Sequence, residues 1–427
     1  MKVRNRVIEI CCLLCGLIVV VCLGSKGFTA QSGDMAGMAV PLHTIRIWYA
    51  DEALSNYVNK VAIAYGEEHH VRVIPELKSG LEYLEEINAA SLDPSIPMPD
   101  LYITSNDMLG KAYLAGLACE VQDTKGICTA LNYPETAIQA VTYQDKIIGY
   151  PFYYETAMLL YNKTYMPDTI PNTMEDILTL ADEYDPPETV EAVFKWDVSD
   201  IFYNYFFVGN YMNVGGTAGD DIHTIDIYNQ NTIDSLRIYQ NLNQFFSIDT
   251  KEVTYDSVLQ EFLDGKIVFS VVTTDAIAKI EQAKADGTFP YEYEIASLPN
   301  LNATLKTKGL SVTNAVVVNG YSTQKAAANE FAKYLVCNHI EDLYPQTGKV
   351  AAQLKVSYEN PKVAQVMNEY QCSVPMPKMI ETSNFWVQLE IAFTKIWTGE
   401  DVEVQLKQLS DQIMKQVTGE SSITPAT

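Results

Sequence analysis

From Thr44 onward the apolar positions switch repeatedly between two rhythms. Ile45 and Ile47, with Trp48 and Tyr49, predict a first strand. Leu54, Tyr57, Val58, Val61, Ala62 and Tyr65 then recur at helical spacing. Val71–Ile74 reads as a second strand, Leu81–Ala90 as a second helix, and Pro99–Ile103 as a short buried strand. Strand, helix, strand, helix, strand is the pattern of a parallel sheet with crossover helices. Gly149–Asn162 reads as a strand that leaves this first unit. Thr173 is placed to cap a helix that starts near Pro171 and carries Glu175 and Asp176 in its first turn. Beyond it, Phe202–Met212, Thr232–Phe246 and Val258–Leu263 read as helices, and the apolar run Ile267–Val272 as a central strand. Ser311–Val318 predicts another strand. Helices follow over Lys325–Leu335, Pro361–Tyr370, Asn384–Thr398 and Val402–Val417.

Upstream of Thr44 the pattern is of another kind. Lys2, Arg4 and Arg6 precede an almost purely apolar run, Ile10–Leu23. That run is short for a membrane-spanning helix and suits the core of an export signal. Val19–Cys22 resembles a lipoprotein processing box, with Val21 where a small residue is usual. Cleavage near Ser25–Gly27 and retention as an anchor are the other two readings. Residues 1–27 are therefore read as leader or anchor, 28–42 as a tether, and 416–427 as a polar tail.

At 427 residues the chain exceeds the size at which a single core keeps growing, so two lobes are expected. A net charge of −25 disfavours nucleic acid and anionic lipid as partners. Outside the leader the cysteines are Cys119, Cys128, Cys337 and Cys372, without zinc-site spacing. In an oxidising exterior Cys119–Cys128 and Cys337–Cys372 are possible bridges, and buried thiols are the equal alternative. His69 and His70 sit at a predicted helix end, where a cation complements the dipole; capping is favoured over metal binding. No phosphate loop, dinucleotide fingerprint, nucleophile elbow or zinc-protease motif occurs. With 54 acidic residues, a pair of hydrolytic carboxylates is not excluded by counting.

Five segments, in order, give the chain its resemblance to a family. They are TIRIWY at Thr44–Tyr49 followed by Asp51-Glu52; PDLYITSND at Pro99–Asp107; GYPFYYETAMLLYNK at Gly149–Lys163; FLDGKIVFSVVTTD at Phe262–Asp275; and MPKMIETSNFW at Met376–Trp386. In this order they resemble the extracellular solute-binding proteins, the family that includes maltose-binding protein. The resemblance runs from about Thr44 to about Glu400. It implies an α/β, two-lobed periplasmic-binding-protein-like fold, each lobe a mostly parallel sheet flanked by helices, hinged around a central cleft. Lobe 1 would comprise 43–152 plus 308–345, and lobe 2 156–300 plus 350–415. The resemblance implicates Asp107 and Glu155 as hydrogen-bonding carboxylates and Trp386 as a platform under a sugar ring. Tyr49 and Asp51 follow as cleft residues, and Asp200 and Tyr203 as an acid and an aromatic lining the second lobe. Thr104 and Asp275 fall where maltose-binding members carry stacking aromatics, which points to a different or smaller sugar.

General chemistry agrees with that transfer. Carboxylates accept several charge-assisted hydrogen bonds from hydroxyls, and the C–H faces of sugar rings pack on flat aromatics. Each residue also has a plainer reading. Asp107 and Asp275 can cap the helices that follow them, Trp386 can pack between helices, and Trp48 belongs in the core. Tyr150, Tyr153 and Tyr154 cannot all face a cleft, because strand side chains alternate.

The implied function is the extracytoplasmic substrate-binding component of an ABC importer. It would bind a carbohydrate between its lobes and deliver it to permease subunits. No catalysis, cofactor or metal is expected. The chain would act as a monomer at the cell surface or in the periplasm, held by an N-terminal lipid or anchor. The alternatives are a receptor of the same fold for a polyamine, metal chelate or peptide, and a secreted carbohydrate-active enzyme.

Overall fold

The computed structural model describes residues 44–123, 126–166, 170–379 and 384–417. The leader, the tether, nearly all of the tail, and Ile380–Ser383 within the last motif lie outside the described residues.

The strands in chain order are β1 (Thr44–Tyr49), β2 (Arg72–Leu77), β3 (Leu101–Ser105), β4 (Tyr150–Thr156), β5 (Met158–Asn162), β6 (Ala192–Phe194), β7 (Ile267–Val272), β8 (Tyr293–Ala296), β9 (Leu310–Val318), β10 (Val350–Ala351) and β11 (Val374–Pro375). Two short ribbons lie apart from these. One sheet runs in the order β10-β4-β9-β3-β1-β2, with β11 paired to β9. The other runs β8-β5-β7-β6. Both sheets are mixed. β2, β1 and β3 are parallel, as expected of strands joined by crossover helices. β9, returning to the first sheet, inserts antiparallel to both β3 and β4. β11 pairs parallel with β9 and β6 with β7, so parallel and antiparallel pairs mix in both sheets and neither is mostly parallel throughout.

The segment expected as one strand over Gly149–Asn162 breaks at Ala157. β4 pairs with β9 in the first sheet, and β5 pairs with β7 in the second. The path returns between Ala296 and Leu310. Both β10 and β11 pair within the first sheet, although they lie in the 350–415 stretch expected in lobe 2.

Alternation along the strands sets the cores. Ile45, Ile47 and Tyr49 face one side of the first sheet, with Val316 and Val318, under the helices Ser55–His69 and Lys325–Cys337. Trp48 faces the other side with Tyr102, Ala315 and Val317, under the helix Tyr83–Leu92. Trp48 is thus a core residue. The second lobe packs its apolar helix stripes around β7, which is buried along its whole length. Tyr154 stacks on Tyr370, with centroids 3.7 Å apart and planes within 6°. That joins β4 to the helix Pro361–Cys372.

Local chemistry fixes several ends. Thr173 accepts from the Asp176 backbone, and the Asp176 carboxylate accepts from the Thr173 backbone, a reciprocal cap. Asn360 caps the helix that Pro361 begins. His69 closes its helix, and His70 follows in the left-handed region with φ of 56°. Phe202–Met212 is not the helix its composition suggested. It holds one helical turn, Ile201–Asn204, then a tighter turn, Tyr205–Phe207. Tyr205, Phe206, Phe207 and Val208 are all buried in the core of the second lobe. The four cysteines are thiols; Cys128 is buried and Cys372 exposed, so neither bridge is formed.

Candidate ligand-binding site

Strand β3 ends at Ser105, and the chain turns at Asn106–Met108. Asn106 is fully buried and pins this turn. Its amide donates to the Met376 carbonyl at 2.7 Å and accepts from the Thr313 backbone at 2.9 Å. Asp107 is thereby directed into a pocket of about 320 Å³ lined also by Asp51, Thr104, Ser105, Tyr153 and Asn314. No side-chain cap is made at this turn, and the half-buried Asp107 carboxylate has no hydrogen-bond partner among the described residues. The pocket lies at the carboxyl ends of β1 and β3, where α/β sheets commonly bind ligands.

Asp51 caps the turn after β1 through Oδ1, which accepts from the Ala53 backbone at 3.0 Å. Its Oδ2 lies 2.9 Å from Lys349 Nζ, and the same ammonium lies 3.1 Å from Glu155 Oε1. Asp51 and Glu155, 104 positions apart in the chain, are thus joined by one lysine that lies in none of the five sequence motifs. Burial lowers the affinity of Lys349 for its proton; attraction to Glu155 and Asp51 more than offsets this, and its pKa is raised. Tyr153 lies beneath, its ring centroid 5.5 Å from Lys349 Nζ. Burial, then the charges of Asp51 and Glu155, raise the Tyr153 pKa well above the ordinary value, so it remains a phenol able to donate. Tyr49 does not line this pocket. It is buried in the core behind Asp51, with its hydroxyl 3.2 Å from Ser55 Oγ.

A second cluster forms in the other lobe. Asp200 caps the Ile201–Asn204 turn, accepting from the Phe202 backbone at 2.8 Å. Burial raises its pKa, partly offset by that hydrogen bond, with nearby Asp197 adding to the rise. Tyr203 stacks on Tyr255, with centroids 4.9 Å apart and planes within 8°. The Tyr255 hydroxyl donates to Asp275 at 2.6 Å, Thr273 also donates to Asp275, and Lys279 lies 2.8 Å away. Burial alone would raise the Asp275 pKa; the Lys279, Thr273 and Tyr255 hydrogen bonds outweigh it and lower the value. Asp275 is the first residue of the helix Asp275–Ala285 and does not cap it as the plainer reading had it: Thr274 holds the cap position without a side-chain bond, and the Asp275 carboxylate is taken by Tyr255, Thr273 and Lys279.

Trp386 lies in the first turn of the helix Phe385–Trp397, half-buried, with its ring 5.6 Å from Tyr205 and 5.3 Å from Phe385. One turn on, Glu390 accepts from the Ile201 backbone, so this helix lies against the Asp200 turn. Asp51, Thr104 and Asp107 therefore share one pocket, with Glu155 attached through Lys349. Asp200, Tyr203 and Asp275 share the second cluster, with Trp386 at its edge. The lobes approach at Gly348, where an added Cβ would meet Ala278 Cβ at 3.4 Å, one turn from Asp275. No cluster of acids, histidines and cysteines able to hold a metal ion occurs among the described residues.

Two α/β sheets between which the chain crosses at Ala157 and again between Ala296 and Leu310, with a polar pocket at the strand ends of the first, define a two-lobed binding protein. Residues 60–365 match the sequence profile described as "Bacterial extracellular solute-binding protein", and the chain belongs to that family. It is 25% identical to the maltooligosaccharide ABC transporter solute-binding lipoprotein of Streptococcus pneumoniae, over 87% of each chain. It is 22% identical to the galactooligosaccharide-binding protein of Bacillus subtilis, over 96% of this chain and 95% of that one. Among solved structures, the extracellular solute-binding protein of Staphylococcus aureus in complex with maltose superposes with a TM-score of 0.77. The two are 20% identical over 88% of this chain and 97% of that one. The maltose-binding periplasmic protein MalE of Listeria monocytogenes gives 0.74 at 23% identity, over 89% and 99%.

Proposed function

We propose that the chain is the substrate-binding component of an ABC importer and takes up a carbohydrate, mono- or oligosaccharide, between its two lobes. The observation that carries this reading is the unpartnered Asp107 carboxylate, set in a pocket with Thr104, Ser105, Tyr153 and Asn314. Such a mixture of acceptors and hydroxyl donors suits a neutral polyhydroxylated ligand. The relatives named for maltooligosaccharide and galactooligosaccharide binding support the same class. Thr104 and Asp275 stand where maltose-binding members carry stacking aromatics, so the sugar differs from maltodextrin or is shorter.

In this reading lobe 1 holds Asp51, Thr104, Asp107 and Glu155, and lobe 2 holds Asp200, Tyr203, Asp275 and Trp386. Ligand bound to both favours closure about the crossings at Ala157 and 297–309. The closed protein docks on permease subunits as a monomer, outside the cytoplasm, tethered by its N-terminus. A relative named a lipoprotein supports that tether. No helix among the described residues is long and apolar enough to cross a membrane.

The protein binds and releases its sugar without cleaving it. Incubated with a bound glycan, it returns the glycan intact; reducing ends that vanish in Glu155→Gln would overturn the receptor reading. The first test is a thermal-shift screen of the full-length protein in a sugar-free detergent, against sugars, polyamines and metals. A ligand at about a hundred times its Kd adds about 2.7 kcal/mol of stability. A shift with sugars alone supports the proposal, and a shift with polyamines or metals alone refutes the sugar assignment.

A further inference from the structure

We propose that Lys349 is the specificity-determining residue of this cleft: a built-in ammonium that occupies the place between Asp51 and Glu155 which a cationic solute would otherwise take. The inference rests on the reading of the cleft as a site for neutral polyhydroxylated ligands, and names what enforces that choice.

The position of Lys349 follows from the chain. The helix Leu343–Thr347 ends at Gly348, whose φ of 71° lies in the left-handed region that favours glycine. The Gly348 backbone donates to the Tyr344 carbonyl at 2.8 Å, and the Lys349 backbone to Thr347 Oγ1 at 3.0 Å. β10 then pairs antiparallel with β4, Val350 opposite Tyr154 and Ala351 opposite Tyr153. That register puts Lys349 across from Glu155, a cross-strand pair of opposite charge. Asp51, arriving from the end of β1, approaches the same ammonium.

An ammonium has three N–H donors, and these two carboxylates account for two. The third remains for a ligand oxygen. Glu155 engages the lysine through Oε1, and its Oε2 has no partner among the described residues. Held this way, the trio offers acceptor and donor side by side, which matches a sugar hydroxyl acting as donor and acceptor at once. Without Lys349, Asp51 and Glu155 would lose the cation they share, and Asp51, which lines one pocket with Asp107, would leave that pocket fit for a polyamine. The side chain of Lys349 is one-fifth exposed and those of its two acids about one-third, and Asp51 and the Tyr153 ring beneath Lys349 line the Asp107 pocket itself.

The test titrates the full-length protein, in a sugar-free detergent at low salt, with maltotriose and separately with spermidine. Lys349→Met removes the charge at similar length; Lys349→Gln carries the same expectation should the methionine variant fail to fold; Lys349→Arg keeps the charge. We expect spermidine to bind the uncharged variants at least about tenfold more tightly than wild type, and that gain to shrink as salt is raised. Maltotriose binding should weaken by a similar factor, and Lys349→Arg should restore the exclusion of spermidine. Uncharged variants that exclude spermidine as wild type does overturn the proposal. The spermidine arm reads Lys349 whether or not maltotriose is the right sugar. A wild-type protein that itself binds spermidine and no sugar overturns the sugar reading as well, so the two failures are distinguishable.

Discussion

Lys378 is a lysine with 1% of its surface exposed, and its burial makes a quantitative prediction. Its ammonium donates to the Gln139 carbonyl at 2.9 Å and to the Ala218 carbonyl, tying the helix Glu135–Val141 to the loop that carries Gly219. The Lys378 backbone donates to the Gly219 carbonyl at 2.7 Å. Burial lowers its pKa from 10.5 to about 8, with Asp220 pulling weakly the other way. Between those values the unfolded chain keeps the proton while the folded chain sheds it, so stability rises with pH. At about 1.4 kcal/mol per pKa unit the full penalty at neutral pH is about 3 kcal/mol, of which about 2 kcal/mol is recovered between about pH 7 and about pH 9.5. The perturbation is Lys378→Met, and the assay is urea unfolding of both proteins across that range. Wild type should gain about 2 kcal/mol relative to the variant as pH rises. The comparison cancels the buried tyrosines, whose raised pKa values act with the opposite sign at higher pH. Unfolding free energies that run parallel for the two proteins would refute the reasoning.

Three further outcomes follow from the same geometry. Trp386→Ala should weaken sugar binding about tenfold with little loss of stability, since the ring is only half-buried; unchanged affinity in a calorimetric titration would remove it from the site. Asn106→Ala strips partners from the buried Met376 carbonyl and Thr313 amide and should cost about 2–4 kcal/mol in urea unfolding, with a loss under about 0.5 kcal/mol contradicting the pinning role. Gly110→Ala would set a Cβ 2.1 Å from the Lys378 carbonyl oxygen, so soluble, fully stable protein from that variant would contradict the close approach there.

Much of the fold was legible because its rhythm is strong. Ile267–Val272 and Val402–Val417 have the predicted bounds, and the Thr173 cap forms as its chemistry demanded. What escaped was set by tertiary contact. Tyr203–Gly209 are buried throughout, and such a run shows no periodicity that separates helix from irregular packing. The break at Ala157 divides one continuous apolar stretch between two sheets, a choice made by the pairing partners β9 and β7. β6 and β8 are short and lie between stronger signals, and both were missed. Asp51, Thr104 and Asp107 fall into one pocket because they stand at the ends of β1 and β3, which the strand pattern made readable. Tyr49, expected at the cleft, alternates with Ile45 and Ile47 and so packs with them in the core. Lys349 carried one usable signal, the Gly348-Lys349-Val350 turn into an apolar run, but its two carboxylate partners come from β4 and from beyond β1, which only the sheet order reveals.

The central claim, that a carbohydrate binds intact at the Asp107 pocket, is tested most directly by titration calorimetry. The full-length protein would be titrated with maltooligosaccharides and galactooligosaccharides, and the titration repeated with Asp107→Ala. At least one sugar should bind saturably and one-to-one, and at least about tenfold more weakly to the variant. A sugar that binds wild type and variant equally would place the ligand elsewhere and contradict the account.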